Sequence, residues 1–138
     1  MTLTKIEIQT LWDDWNQAWD DHDLDRVMTF FHDEVYFCNW TGGSATGKEQ
    51  LKKAWSQWFA NHGNFKFIQE EIFIDEQAQK LLFMWELKWP SFEKGYEGAP
   101  EIRHGVDVIH FKDGKIIKKL TYSKTTLEIG GKRMKLTP

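Results

Sequence analysis

Residues Ile102–Lys124, IRHGVDVIHFKDGKIIKKLTYSK, carry the clearest structural pattern in the chain. We interpret them as two long strands joined at Asp113-Gly114, because a two-residue type I′ turn needs positive φ at both central positions. β-Branched and aromatic residues flank the turn on both sides, as is typical of strands. One carboxylate, Asp107, interrupts the apolar run between two valines. A carboxylate there is costly unless it is paired, hydrogen-bonded or kept protonated.

The side chains of a strand alternate between two faces, so the neighbours of Asp107 can be predicted. Alternation over residues 102–112 places Asp107 on one face and both His104 and His110 on the other. The residues predicted to share its face are Arg103, Gly105, Ile109 and Phe111. A structural interpretation pairs Asp107 with Arg103 or with a tryptophan N–H. A functional interpretation makes it a pocket acid or base.

Three helices are predicted in the first half of the chain. The first runs over 4–21, opens on a capping box from Thr4 to Glu7, and carries a tryptophan stripe at helical spacing. The second is capped by Asp23 and ends at 32–34. The third runs over 48–60 with an apolar face. The apolar stripes of the first and third helices contain Ile8, Leu11, Trp12, Trp15, Trp19, Leu51, Ala54, Trp55, Trp58 and Phe59.

Strands are predicted elsewhere, over 35–40, 65–74 and 80–89, and a small hairpin over 127–136. Residues 90–100 hold two prolines and two glycines, and this predicted loop is a candidate lid through Phe92 and Tyr96. Helices followed by strands predict an α+β fold, with helices covering one face of a mostly antiparallel sheet. We expect one domain over 1–138, with its core at about 6–124 and 125–138 as an extra hairpin or tail.

Composition excludes several classes of function. The chain has 138 residues, a net charge of −3 and no long basic block, which argues against a nucleic-acid partner. Its N-terminus lacks the pattern of a signal peptide, and no apolar run is long enough to cross a membrane. The one cysteine, Cys38, fits a reducing compartment, so we expect a cytoplasmic protein. Residues 42–48 match a phosphate-binding P-loop, but Glu49 stands where that motif needs Ser or Thr.

Three segments in this order resemble the SnoaL-like branch of the nuclear-transport-factor-2-like superfamily, which includes ketosteroid isomerases and polyketide cyclases. They are WNQAWDDHDLDRVMTFFHDEVYF over 15–37, TGKEQLKKAW over 46–55 and GVDVIHFKDGKI over 105–116. The resemblance covers about residues 6–124. It implies a cone, in which a strongly bent, antiparallel-rich sheet and three helices close a deep apolar pocket. It also implies a homodimer formed through the outer face of the sheet.

The resemblance can be carried over position by position. In the isomerases the general base is an aspartate, and that position corresponds here to Cys38. Their oxyanion-hole tyrosine corresponds to Trp15 and a supporting tyrosine to Trp55, and each indole N–H can donate one hydrogen bond. Their second oxyanion group, a protonated aspartate, corresponds to Asp107. One of the four groups is therefore kept.

Other enzymes of the superfamily fit less well. Epoxide-hydrolase-like members use Arg-x-Asp where this chain has Gly105-Val106-Asp107, and they and the cyclases place an acid on the last strand, IIKKLTYSK, which has none. Dehydratase-like chemistry needs a histidine beside the aspartate. Alternation points His104 away from Asp107 unless a bulge at Gly105 reverses it.

The sequence is compatible with two functions. The first is binding of a small apolar or aromatic molecule in a tryptophan-lined pocket. The alternative is a cofactor-independent isomerase, cyclase or dehydratase that uses Asp107 as acid/base or oxyanion donor. No cofactor is implied, and five scattered histidines argue against a metal site. Lys119 could also project inward, with its register open. The predicted pocket residues are Trp15, Trp19, Cys38, Trp40, Trp55, Trp58, Phe59, Glu86, Arg103 and Ile109.

Overall fold

The computed structural model describes residues 1–61 and 63–135, which form three helices and eight strands. The predicted turn at His62 and the end of the predicted last hairpin at Leu136 lie outside the described residues. The elements in chain order are α1 (Lys5–Asp20), α2 (Leu24–Met28), β1 (Phe31–Cys38), β2 (Ser44–Thr46), α3 (Lys48–Asn61), β3 (Lys66–Asp75), β4 (Lys80–Pro90), β5 (Pro100–Lys112), β6 (Lys115–Ser123), β7 (Thr126–Ile129) and β8 (Lys132–Lys135).

The strands form one mixed sheet in the order β2-β1-β6-β5-β4-β3. β1 and β6 pair in parallel, and the other neighbours are antiparallel. β7 pairs with the start of β5 and with β8, so the tail hairpin extends the sheet. α1 packs against β3 and α3 against β1. The predicted α+β class, with helices in the first half and a mostly antiparallel sheet, is confirmed.

α1 begins where the sequence predicts. The Thr4 side chain accepts a hydrogen bond from the Glu7 amide, and the Glu7 side chain accepts one from the Thr4 amide. Its buried face includes Trp12 and Trp15, whose rings stack at 5.1 Å between centroids. Edge-to-face and offset-stacked rings of this kind add to the stabilisation from apolar burial. The helix therefore presents a rigid aromatic face to the sheet.

The prediction for α2 and β1 is wrong at their boundary. α2 ends at Met28 instead of 32–34, and β1 starts at Phe31 instead of Val35. Phe31 is 1% exposed and pairs with Ile116 of β6, so strand pairing overrides the helical pattern before it. β1 also ends at Cys38, which leaves Trp40 in the connection to β2.

The hairpin of β5 and β6 contains a register shift with consequences for the site. Its turn is as predicted, with φ of 52° at Asp113 and 75° at Gly114. Phe111 pairs with Ile116, but His110 pairs with Lys118, so one extra residue is inserted into β6. A one-residue shift exchanges the two faces of a strand. Beyond it, Lys119 and Thr121 share the inner face with Ile109 and Asp107, because these are the paired residues.

Gly105 does not form the bulge that would turn His104 inward. It pairs with Trp85 inside an unbroken register, and His104 contacts Glu70 at 3.1 Å between Nδ1 and Oε1. The glycine instead makes room for an indole ring. A Cβ at position 105 would lie 2.3 Å from Cζ2 of Trp85 and 2.4 Å from the carbonyl oxygen of Tyr122.

We therefore expect Gly105→Ala to lower the free energy of unfolding by about 1–3 kcal/mol or more, since 1–3 kcal/mol is the usual cost of overpacking. Urea denaturation measures this change. Gly43→Ala is the matched control, since a Cβ there meets only the Thr41 hydroxyl at 3.5 Å, an ordinary contact. Equal stability of Gly105→Ala and the wild type would contradict the packing described here.

Candidate functional site

A cavity of about 290 Å³ lies between α1, α3, the β1–β2 connection and the inner face of the sheet. Aromatic side chains dominate its wall, and small polar groups accompany them near the β1–β2 connection. The wall consists of Trp15, Asn16, Trp19, Phe37, Asn39, Trp40, Thr41, Gly43, Ser44, Ala45, Ala54, Trp55, Trp58, Phe67, Phe83, Trp85, Asp107, Lys119 and Thr121.

Ring-to-ring contacts hold the aromatic wall together. Trp19 lies at its centre, with centroid distances of 5.2 Å to Trp55, 5.4 Å to Phe67 and 5.7 Å to Trp15. The first two contacts are edge-to-face, the geometry that aromatic quadrupoles favour. The wall is therefore built from interlocked rings on α1, α3 and β3, which limits how far any one ring can move.

Three polar side chains of the sheet meet in this apolar wall, and we call them the Asp107–Thr121–Lys119 group. Lys119 Nζ donates to Thr121 Oγ1 at 2.7 Å, and Thr121 Oγ1 donates to Asp107 Oδ1 at 2.8 Å. Lys119 Nζ also lies 3.2 Å from Asp107 Oδ2. All three residues are buried. The closed set of contacts satisfies both carboxylate oxygens of Asp107, which removes most of the cost of burying it.

Lys119, and neither Arg103 nor a tryptophan, is thus the partner of Asp107. Burial lowers the pKa of the Lys119 ammonium, while the charge and hydrogen bond of Asp107 act in the opposite direction and are smaller. The ammonium lies over two rings, 5.0 Å from the centroid of Phe37 and 5.7 Å from that of Trp55. A buried acid and a buried base are therefore held side by side in the cavity wall.

Arg103 lies outside the cavity wall. Its guanidinium contacts Glu101 at 3.3 Å and Glu93 at 3.2 Å, and its Cζ is 4.8 Å from the centroid of Trp40. Glu101 also accepts hydrogen bonds from the indole of Trp89 and from the Ser91 hydroxyl. We call these residues the Arg103–Glu101 cluster; it ties the loop over 91–99 to the sheet.

That loop is not placed as a lid over the cavity. Phe92 and Tyr96, the aromatic residues of the predicted lid, are 49% and 38% exposed and do not belong to the cavity wall. Phe92 packs against Trp89, with 5.6 Å between centroids. Hydrogen bonds between Ser91 and the residues at 98 and 99 close the loop on itself. Its contacts are therefore with the Arg103–Glu101 cluster.

Four more of the predicted pocket residues lie outside the wall. Two are turned away from the cavity by the alternation of side chains along their strands, and two are packed among other core residues. Cys38 follows Phe37 on β1, and Phe37 is the one that faces the cavity. Glu86 faces the outer side of the sheet, and Ile109 is fully buried in the core. Phe59 packs behind Trp19 at 5.0 Å between centroids. The wall does include Trp15, Trp19, Trp40, Trp55, Trp58 and Asp107.

Several wall residues were missed by sequence reasoning. Trp85 is 1% exposed and belongs to the wall, although the sequence drew attention to its neighbour Glu86. Alternation along β4 could have identified it, because Leu81, Phe83, Trp85 and Leu87 are buried at every second position. The indole N–H groups of Trp19 and Trp85 are buried and donate no hydrogen bond within the described residues. Both belong to residues of the cavity wall.

Residues 1–61 and 63–135 contain neither a cluster of metal ligands nor a helix suited to spanning a membrane. No group of three or more His, Cys, Asp or Glu side chains there is placed to hold a metal ion. None of the helices in that part of the chain has the length and apolar character needed to cross a membrane.

Solved structures share this fold at low sequence identity. An NTF2-like protein of unknown function from Mesorhizobium loti has a TM-score of 0.71 at 18% identity, covering 90% of this chain and 99% of its own. TerC, co-crystallised with polyporic acid, has a TM-score of 0.71 at 14% identity, covering 86% and 92%. A Catenulispora acidiphila protein with a ketosteroid isomerase-like fold, in complex with trimethylamine, has a TM-score of 0.69 at 15% identity, covering 81% and 83%. At these identities the likeness shows the fold alone, and it confirms the predicted nuclear-transport-factor-2-like fold.

No curated protein matches the chain. The model of the SnoaL-like domain family matches residues 12–119, a span that includes α1 from Trp12 onward, α2, α3 and the sheet as far as Lys119. Since this match covers most of the chain, the protein belongs to the SnoaL-like domain family.

Proposed function

We propose that the protein binds a small ring-bearing molecule in the aromatic cavity. The observation that carries the proposal is the wall itself: interlocked indole and phenyl rings enclose space and surround one buried polar group. Ligand sites are typically of this kind, mostly apolar with a few convergent polar groups. The structure of TerC with polyporic acid is a case of a protein of this fold crystallised with a small molecule.

The size of the cavity limits the ligand. Its volume of about 290 Å³ lies at the lower end of the roughly 300–1,000 Å³ of ligand pockets. A molecule of one or two rings therefore fits better than a large polycycle. Asp107 balances the charge of Lys119, so the wall suits a neutral ligand, and the third N–H of Lys119 favours one with an oxygen acceptor.

Three residues of the wall carry a donor that could serve such an acceptor. The indole N–H groups of Trp19 and Trp85 lack partners within the described residues, and Lys119 lines the same space. A buried donor without a partner carries a desolvation cost of about 1–3 kcal/mol. A ligand oxygen that accepts from either indole recovers part of that cost, which favours a phenol or a carbonyl over a pure hydrocarbon.

A second candidate function is cofactor-independent proton transfer, and one specific observation favours it. Asp107 and Lys119 lie 3.2 Å apart in the cavity wall, where a bound molecule can reach both. A buried acid and a buried base side by side in a cavity are typical of catalytic sites, although structural ion pairs share this feature. In this second candidate function, Asp107 or Lys119 acts as the acid or base in an isomerisation, a cyclisation or a dehydration, which is the chemistry that the family resemblance implies.

The binding proposal is tested by filling the cavity from α3. Ala54 belongs to the wall, so Ala54→Phe is expected to weaken binding of 2-naphthol about tenfold or more, roughly 1.4 kcal/mol. Quenching of tryptophan fluorescence measures the affinity. Ala60→Phe is the matched control on the same helix, because both alanines are exposed and Ala60 lies outside the wall. Equal loss in both variants, or no saturable binding to the wild type, would contradict the proposal.

We also propose a homodimer formed through the outer face of the sheet. Large apolar side chains on that face are exposed, with Phe73 and Tyr122 both 56% exposed and Met84 37%. Strand pairing brings Val106 between Met84 and Tyr122. Contiguous exposed apolar groups of this kind mark interaction surfaces. A two-fold axis through the row formed by Met84, Val106 and Tyr122 would bury the same patch on both protomers.

Sedimentation tests this interface. The wild type is expected to sediment as a dimer and Tyr122→Glu as a monomer, because a carboxylate buried in an apolar interface is left unpaired. Tyr96→Glu, in the exposed loop over 91–99, is expected to leave the dimer intact. A monomeric wild type would contradict the proposed interface.

A further inference from the structure

We infer that Lys119 is a covalent site, forming an imine with the carbonyl carbon of an aldehyde or ketone bound in the cavity. The inference rests on the proposed ligand cavity, and it names the chemical class of ligand and the atom it reacts with. The candidate nucleophile is the Nζ of Lys119, and Asp107 and Thr121 move its protons.

Geometry supports Lys119 as the nucleophile. Among the described residues, it is the one lysine in the cavity wall. Its Nζ donates to Thr121 Oγ1 at 2.7 Å and lies 3.2 Å from Asp107 Oδ2. A neutral amine keeps two N–H bonds, which is enough for both contacts. Loss of the third proton therefore breaks neither contact and leaves a lone pair on the nitrogen of this cavity-wall residue.

The surroundings favour the neutral amine more than water does. Burial lowers the pKa of Lys119, and a lysine activated by desolvation in an apolar pocket is an established kind of nucleophile. The groups that face it are Asp107 from β5, Thr121 from β6, the Phe37 ring from β1 and the Trp55 ring from α3. Asp107 is the one other charged side chain among the described wall residues.

The reaction balances within this group. The Lys119 ammonium passes one proton to the Asp107 carboxylate, and the amine nitrogen attacks the carbonyl carbon to form a C–N bond. Asp107 returns that proton to the developing oxyanion, accepts a second proton from nitrogen, and delivers it to the hydroxyl, which leaves as water. The C–O bond breaks and a C=N bond forms. An ammonium and a carbonyl become a protonated imine and water, with the Asp107 carboxylate restored.

The position of Thr121 gives the proton a path. Its hydroxyl accepts from Lys119 and donates to Asp107 Oδ1 at 2.8 Å, so it connects the nitrogen with the second carboxylate oxygen. Oδ2 of Asp107 therefore contacts Lys119 Nζ directly, and Oδ1 is connected to the same nitrogen through the Thr121 hydroxyl. Asp107 and Thr121 are both placed to serve the same nitrogen.

Reductive trapping tests the inference with 2-naphthaldehyde as the carbonyl probe and sodium cyanoborohydride as the reductant of the imine. We expect intact-mass analysis of the wild type to show one preferred adduct per chain, and peptide mapping to place it on Lys119. The neighbouring Lys118 is the internal control, because it is exposed on the outer face. Near neutral pH, labelling of Lys119 is expected to be about tenfold faster than labelling of Lys118. An ordinary lysine, with a pKa of about 10.4, is almost fully protonated there and reacts slowly. The excess is expected to shrink as the pH approaches that value and surface lysines lose their protons.

The outcomes separate this inference from the proposed function. An adduct on Lys119 in the wild type, abolished in Lys119→Met without loss of surface labelling, supports the imine. Saturable binding of 2-naphthol without preferred labelling of Lys119 overturns the imine and leaves the ligand cavity standing. Failure of 2-naphthol to bind, together with no preferred adduct, overturns both. Mapping of the wild type decides the question even if Lys119→Met does not fold.

Discussion

Replacing Lys119 by methionine is expected to lower the free energy of unfolding by about 3–5 kcal/mol, the cost of leaving one member of a buried ion pair without its partner. Asp107 would then keep the Thr121 hydroxyl and lose the charge 3.2 Å from its Oδ2. Methionine has nearly the shape of lysine, so the packing against Phe37 and Trp55 is retained. Urea denaturation of the two proteins measures the difference.

The double variant Lys119→Met/Asp107→Leu is the control that separates charge from packing. Replacing both members of a buried pair by apolar groups is often neutral or stabilising, so most of the lost stability is expected to return. Thr121 would then lack an acceptor, which leaves a deficit of about 1 kcal/mol. A double variant less stable than Lys119→Met alone would contradict the ion-pair account.

Arg103→Met is expected to cost a similar 3–5 kcal/mol or so, by leaving the Glu101 carboxylate without its cation. Arg103 is 3% exposed and Glu101 is 1% exposed, so water cannot replace the lost partner. The substitution also removes the contact with Glu93 that ties the loop over 91–99 to the sheet. We therefore expect faster cleavage by trypsin at Lys94, which is exposed within that loop.

Arg26→Met provides the matched control. Arg26 pairs with Asp21 at 3.3 Å, but both side chains are exposed, and such pairs contribute about 0–1 kcal/mol. If Arg103→Met cost no more than Arg26→Met, the Arg103–Glu101 cluster would have no role in stability. If loop cleavage by trypsin did not change, its role in holding the loop would be wrong.

Local patterns predicted most of the fold. The capping box at Thr4, the tryptophan spacing of α1 and the turn at Asp113-Gly114 are all short-range signals, and the structure has each of them. The boundary between α2 and β1 was missed because it depends on a distant strand. Phe31 is drawn into β1 by pairing with Ile116, 85 positions further along the chain, and no local pattern reports that contact.

The candidate site was predicted in part, and the main omission has a physical cause. The tryptophans and Asp107 follow from helical spacing and strand alternation within single elements. Lys119 depends on the register between two strands. An unshifted hairpin from Asp113-Gly114 would pair Ile109 with Lys118 and point Lys119 outward, and the extra residue in β6 reverses this. Glu86 and Cys38 lie next to residues that face the cavity, so an error of one position was enough to misplace them.

The most direct test of the ligand cavity is to follow the eight tryptophan indole N–H resonances by two-dimensional ¹H–¹⁵N NMR while 2-naphthol is added. Trp19 and Trp85 line the cavity, and their N–H groups have no acceptor within the described residues, so they are expected to show the largest saturable shifts. Trp12 is the control, because its N–H is equally buried and unpaired but lies outside the wall. If Trp19 and Trp85 shift no more than Trp12 at saturating 2-naphthol, the aromatic cavity is not the binding site.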